Sequence, residues 1–301
     1  MVIAEENEKF AQVVQKIDPR CRLLRAWKLE GGVSAQVTAL EVEGPGGQRE
    51  KMLVRRHGEV DRRQNPQIAA DEFQLLHLLQ SAGMAAPEPY YLDVSKEIFS
   101  TPYIVVEYIE GQPEFAFVHG SDFIHQLALY LSRLHQLGCS KLDISFLPRQ
   151  RERCAAKLGA PANAESGDER HVRAVLQARW PLVQRNPSVL LHGDFWPGNI
   201  LWKDGQLVAV IDWEDAASGD PLADLGNSRL EVLWAFGVDA MQRFTDCYRS
   251  ITSIDFTHLP YWDLYAALRL TSQLVADGDT ATIMRERYRW FIAEAQERLL
   301  V

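Results

Sequence analysis

The stretch LLHGDFWPGNILW (190–202) sets a histidine, an aspartate and an asparagine among apolar runs, with Pro197 and Gly198 between the acid and the amide. Eight residues after it comes VIDWEDA (210–216), where another apolar run ends on Asp212. VLL, ILW and LVAVI are short apolar runs bounded by turn residues, and they read as strands. Asp194, Asn199 and Asp212 therefore stand at strand ends and in tight loops. Two carboxylates and an amide are hard oxygen donors. A small set of these suits Mg²⁺, which keeps some waters and binds alongside substrate phosphates. An aspartate of such a cluster that holds no metal can orient or deprotonate a hydroxyl.

The bulk numbers exclude several classes. The chain has 301 residues, 47% hydrophobic and 24% charged, with a formal net charge of −9. That is the composition of an ordinary globular protein. The acidic balance argues against binding nucleic acid or anionic lipid. The four cysteines form no CxxC pair and read neither as a zinc site nor as a disulfide framework, so a reducing cytoplasm is the expected compartment. The opening MVIAEENEKF has no basic segment leading an apolar one, which predicts no signal peptide. No apolar run approaches the ~20 residues that span a bilayer.

Outward from the motif, the front of the chain mixes strand and helix signals. LRAWKLEGG (24–32), SAQVTALEVEG (34–44) and EKMLVRR (50–56) read as strands, the last two joined by the Gly/Pro turn EGPGGQR (43–49). IAADEFQLLHLLQSAG (68–83) has helical spacing and stops at Gly83. APEPYYLDV (86–94) and TPYIVVEYIEG (101–111) read as two further strands. SDFIHQLALYLSRLHQLG (121–138) predicts an amphipathic helix capped by Ser121 or Asp122, and LGAPANAESGDER (158–170) a mobile loop. From about residue 222 the pattern is helical. The expected fold is α+β: a β-rich N-terminal region over 1–107, a linker near Glu107–Gly111, and a mainly helical region over 108–301 with a small β insert.

HGD alone is a common tripeptide, and Pro-Gly-Asn is a turn signature. The order His-x-Asp-x-x-x-x-Asn, apolar run, Asp204-Gly205 turn, apolar run, Asp is far rarer, and it repeats the spacing of kinase catalytic and metal loops. With VIDWEDAASGDPLADLG (210–226) behind it, HGDFWPGNILW resembles the family of aminoglycoside phosphotransferases, choline kinases and related small-molecule kinases. The resemblance is strongest over 190–226 and extends along nearly the whole chain. It implies a bilobal, protein-kinase-like fold, ATP and Mg²⁺ as cofactors, and a small-molecule hydroxyl acceptor. By position, Asp194 matches the catalytic aspartate, and Asn199 and Asp212 match the metal ligands. His192 matches a residue packed against the metal-binding turn, and Asp220 and Asp224 match braces of loop and helix.

The same resemblance assigns roles in the front region. Strand alternation puts Leu53 and Arg55 on one face and Val54 and Arg56 on the other. Arg55 matches the position of the phosphate-binding lysine, and Glu72 matches its acidic partner. Arginine there departs from the commoner pattern, although its paired N–H donors also hold phosphate. Which of Arg55 and Arg56 faces the nucleotide stays open. Gly31, Gly32 and Ser34 in LEGGVSAQV match a phosphate-covering loop, and a plain turn explains that stretch as well. The backbone of Glu107 and Ile109 would meet the adenine edge. No GxxxxGK[ST] occurs, which disfavours a P-loop ATPase.

The leading expectation is a small-molecule kinase transferring the γ-phosphoryl group of ATP to an aminoglycoside-, amino-alcohol- or sugar-like hydroxyl. The alternatives are a pseudokinase-like nucleotide-binding module and a metal-dependent hydrolase. The back region holds Trp234, Tyr248, Tyr261, Trp262, Tyr265 and Trp290 with Glu231, Asp239 and Asp263. These either enclose an amine-bearing acceptor through cation–π and ionic contacts or are core and surface residues of ordinary helices. The oligomeric state is not legible.

Overall fold

The computed structural model describes residues 2–29, 35–115, 122–137, 142–161, 167–271 and 279–300. The chain divides into two units. One comprises Met1–Glu110 together with Val208–Glu214, the other Gly111–Leu207 together with Asp215–Val301. The division expected from sequence, at 107/108, has no counterpart to the return of 208–214. That segment is tied to the first unit by the Val210 N–H, which donates to the Ala85 carbonyl at 2.9 Å.

The first unit opens with α1 (Val2–Ile17), then β1 (Arg22–Lys28), β2 (Ala35–Glu43), β3 (Arg49–His57), α2 (Glu59–Gln64), α3 (Ile68–Ser81), β4 (Pro89–Asp93) and β5 (Tyr103–Glu107). The strands form one antiparallel sheet in the order β1-β2-β3-β5-β4. Phe10, Val13 and Val14 of α1 follow helical spacing and pack with Leu40, Val42, Met52, Val54 and Val105 in a buried cluster. Strand alternation gives Met52 and Val54 to that face and turns Arg55 to the other. The α1 helix was not read from sequence, although Phe10, Val13, Val14 and Ile17 carry the i, i+3, i+4, i+7 signal.

The second unit holds α4 (Phe123–Gln136), α5 (Gln150–Gly159), α6 (Gly167–Arg179), β6 (Val189–Leu191), β7 (Ile200–Lys203), the first two residues of β8 (Gln206–Val210), β9 (Ala217–Gly219), α7 (Pro221–Phe236), α8 (Val238–Ile251), α9 (Leu259–Leu270) and α10 (Asp279–Leu300), and the rest of β8 belongs to the first unit. The β7–β8 pair carries the chain back into the first unit. Strand β6 pairs with β9, Leu191 opposite Ala217. The stretch 158–170, expected to be a loop, is helical at both ends, because α5 runs through Gly159 and α6 begins at Gly167. Asp122 stands at the N-cap of α4 but makes no side-chain cap bond. Helices α7 and α9 approach closely: a Cβ on Gly226 would lie 2.8 Å from the Trp262 backbone. Among the described residues no helix is long and apolar enough to cross a membrane.

Candidate active site

Strand β6 ends at Leu191 and delivers the His192-Gly193-Asp194 turn, which main-chain groups hold in place. The Asp224 carboxylate, buried near the start of α7, accepts from the His192 N–H at 2.7 Å and the Gly193 N–H at 2.9 Å. His135 Nε2 lies 3.2 Å from the same carboxylate, and its Nδ1 lies 2.7 Å from the Tyr248 hydroxyl. Burial pushes the Asp224 carboxyl up, but the hydrogen bond and charge of His135, with His192 and the Gly193 N–H, outweigh it and hold it below the ordinary value. Gly193 has φ +85°, and a Cβ there would stand 2.0 Å from the Asp215 carbonyl oxygen. Only glycine permits that approach. His192 is fully buried, and its Nδ1 accepts from the Asp194 N–H at 3.2 Å, so it shapes the turn from behind.

Pro197 opens a short 3₁₀ turn that folds Asn199 back onto Asp194. Asn199 Nδ2 donates to the Asp194 carbonyl at 3.0 Å and to its Oδ2 at 3.1 Å. With both amide hydrogens spent, the amide oxygen is the atom left to act as a hard donor. The Phe195 carbonyl accepts from Ser228 at 2.9 Å, and its ring stacks on Tyr130 at 5.9 Å, which anchors the loop.

Two arginines that sequence reading did not single out border this turn. Arg269, on α9, donates to the Gly193 carbonyl at 2.7 Å, and its Nη2 lies 3.6 Å from Asp194 Oδ1 and 3.9 Å from Asp215 Oδ2. Arg153, on α5, donates to the Asp215 carbonyl at 2.6 Å. Both come from helices far along the chain, and no local pattern marks them.

In the first unit, Arg55 reaches three carboxylates. Its Nε donates to Glu72 at 3.1 Å, and its Nη2 donates to Glu214 at 2.7 Å and to Asp212. His57 Nε2 lies 2.6 Å from the same Glu72 oxygen. Burial pulls Arg55 down, and Glu72, Asp212 and Glu214 outweigh that and hold it raised. Burial likewise pushes Glu72 up, while Arg55 and His57 draw it down to about 2. Asp212 has φ +68°, a strained setting for a non-glycine residue. Three carboxylates against one guanidinium leave a surplus of negative charge when His57 is neutral, which fits a divalent cation of the hard, oxygen-binding kind. Among the described residues no group of three or more His, Cys, Asp or Glu forms a metal cage by itself.

Arg56 lies on the opposite face of β3. Its guanidinium sits 4.4 Å over the Phe99 ring and 3.9 Å from Glu6. Sequence reading missed Glu214, although it stands two residues after Asp212 in VIDWED, and it missed His57. Gly31, Gly32 and Ser34 lie outside the described residues. The Glu107 N–H donates to the Glu88 carbonyl at 2.8 Å, so it is not available to a base edge. Ile109 follows β5 as half-buried chain. Trp234, Tyr248, Tyr261, Trp262 and Tyr265 are all buried in helical packing, and Asp263 is fully buried against Arg229 at 2.9 Å. Trp290 and Asp239 are exposed, so the set divides between core and surface of ordinary helices.

An α+β chain with a kinase-like arrangement of elements and an Asp/Asn turn of this geometry is of the phosphotransferase class. The model of the phosphotransferase enzyme family matches residues 28–245, and the chain belongs to that family. Its fold is similar to that of a putative aminoglycoside phosphotransferase from Ralstonia eutropha, with a TM-score of 0.66 at 14% identity over 97% of this chain and 98% of that one. It is also similar to an amicoumacin kinase solved in complex with AMP-PNP, Ca²⁺ and Ami, with a TM-score of 0.65 at 14% identity over 97% and 95% of the two chains. By sequence it is 25% identical over 229 residues to acyl-CoA dehydrogenase family member 11 of Rattus norvegicus. That match covers 65% of this chain and 29% of the relative, so the chain spans under a third of the length of that protein.

Proposed function

We propose that this protein transfers the γ-phosphoryl group of ATP to a hydroxyl of a small molecule in a Mg²⁺-dependent reaction. The observation that carries this reading is the backbone-clamped turn on which Asp194 and Asn199 are hydrogen-bonded to each other. Family membership, and the nucleotide and divalent cation bound by the amicoumacin kinase, support it. Asp194 orients the acceptor hydroxyl and takes its proton. Asn199 and Asp212 supply oxygen ligands to Mg²⁺, which when bound neutralises charge on the nucleotide phosphates. Arg55, held by Glu72, binds phosphate oxygens in place of the commoner lysine. The Glu107 carbonyl and the Ile109 backbone meet the adenine edge. Most of the rate comes from positioning and charge neutralisation.

The test is ADP formation from ATP over a panel of aminoglycoside, amino-alcohol and sugar acceptors, with and without Mg²⁺. The expected result is Mg²⁺-dependent stimulation by at least one acceptor class. Asp194→Ala and Asp212→Ala should each reduce it by roughly a thousandfold or more. Full turnover by Asp194→Ala, or phosphate release that no acceptor alters, would sink the assignment.

A further inference from the structure

Arg269 stands out among the charged groups of the second unit. It lies 76 residues beyond Gly193 and reaches back to the catalytic turn from α9. Among the described residues its one hydrogen bond is to the Gly193 carbonyl. Its distances to Asp194 and Asp215, 3.6 and 3.9 Å, are ion-pair separations without a direct hydrogen bond. Asp215 has a nearer cation in Arg153, whose Nη1 donates to the Asp215 carbonyl and lies 3.8 Å from its Oδ1. A guanidinium has five N–H donors. One fixes Arg269 to the turn, and the others remain for a ligand at the Asp194 side chain. The side chain is about a quarter exposed, so a ligand has access to it.

We propose that Arg269 places its positive charge on the transferring phosphoryl group, a catalytic contact made from α9. The proposal rests on the phosphotransferase reading given above. In that reaction the acceptor oxygen forms a bond to the γ-phosphorus, and its proton passes to Asp194. The bond from the γ-phosphorus to the β,γ-bridging oxygen breaks, and its electron pair leaves with ADP. An acceptor hydroxyl held by Asp194 lies within ~3 Å of the carboxylate. The group it attacks therefore passes within reach of a guanidinium lodged beside the same carboxylate. Charge gathers on the equatorial oxygens of that group, and a fixed arginine stabilises it more in the transition state than in bound ATP. Bidentate donors suit phosphoryl oxygens, and the Gly193 anchor holds the fork in place without spending it.

The experiment compares two probes on wild type and on Arg269→Ala: Mg²⁺·AMP-PNP, which resembles bound ATP, and Mg²⁺·ADP with tetrafluoroaluminate, a planar anion resembling the group in transfer. The variant should bind AMP-PNP within about threefold of wild type and lose roughly a hundredfold for the fluoroaluminate complex. In slow Mg²⁺-dependent hydrolysis of ATP to water, kcat should fall and KM should hold. Should Arg269→Ala melt out, Arg269→Gln keeps a donor for the Gly193 carbonyl without the charge and gives the same comparison. Equal loss for both probes, or loss for neither, overturns the proposal. So does a wild type that gains nothing from tetrafluoroaluminate over ADP alone. A wild type that fails to bind AMP-PNP in the presence of Mg²⁺ overturns instead the nucleotide reading on which it rests.

Discussion

In the first unit Arg55 is gripped by side chains: Glu72, Asp212 and Glu214 all close on one guanidinium, two of them brought by a chain segment that returns from beyond residue 207. In the second, Asp194 is positioned by main chain. Two N–H groups of its turn dock on Asp224, and the Gly193 backbone rides against the Asp215 carbonyl. A charge cluster of the first kind tolerates adjustment, because side chains rotate and charges act at a distance. A backbone clamp of the second kind allows almost none. The first should therefore respond to pH and charge, and the second to sterics.

The largest effect should come from Gly193→Ala. The added Cβ would have to displace a carbonyl oxygen 2.0 Å away, and alanine is strained at φ +85°. The expected cost is on the order of 4 kcal/mol. It should be read as a large drop in the denaturant midpoint, with phosphoryl transfer lost wherever the protein still folds. A variant that melts and turns over like wild type would show that the turn is not clamped.

Next comes Asp224→Asn, nearly isosteric with the native residue. Two backbone N–H donors face the carboxylate, and an amide offers them only one oxygen. A buried donor is left unmet, at about 3 kcal/mol. The same substitution should lower kcat more than it raises KM for ATP, because it loosens the turn and not the nucleotide's own contacts.

This contrast also explains what could be read from sequence. His192, Gly193, Asp194, Asn199 and Asp212 lie within 21 residues, and their spacing is set by local chain geometry, so it shows in the letters. Five strands and two helices of the front and middle regions were legible for the same reason: period 2 or 3.6 and a turn residue at the end. Arg269 and Arg153 reach the turn only through tertiary packing of α9 and α5, and a lone arginine on a helix carries no local mark. The aromatics of α7 to α9 showed the converse difficulty. Composition does not separate a cage from a core, and only burial did.

The first-unit cluster should respond to acid. The Glu72 carboxyl is drawn from 4.5 to about 2 in the fold. A depressed acid contributes stability that is fully present above its unfolded value and is lost as pH falls through the folded one. Wild type should therefore lose stability as pH falls from about 4.5 toward 2. Glu72→Gln should be less stable at pH 7 and show a shallower decline, so that the two denaturant midpoints converge on acidification. Parallel curves across that window would mean that Arg55 and His57 do not hold this carboxylate as the geometry indicates.

The smallest effect sharpens the comparison most, because it separates two adjacent arginines. Arg56 faces α1, with one acid at 3.9 Å and the Phe99 ring beneath it. Its contacts are of the partly solvated kind, worth at most about 1 kcal/mol together. Arg56→Ala should lower the melting temperature by a few degrees and leave the affinity for Mg²⁺·AMP-PNP unchanged. Arg55→Lys keeps one charge among the carboxylates but loses the planar fork, and should weaken nucleotide binding severalfold. If Arg56→Ala weakened AMP-PNP and Arg55→Lys did not, the phosphate-binding role would pass to the other face of β3. The cluster of Glu72, Asp212 and Glu214 would then be a brace for the sheet and helix α3.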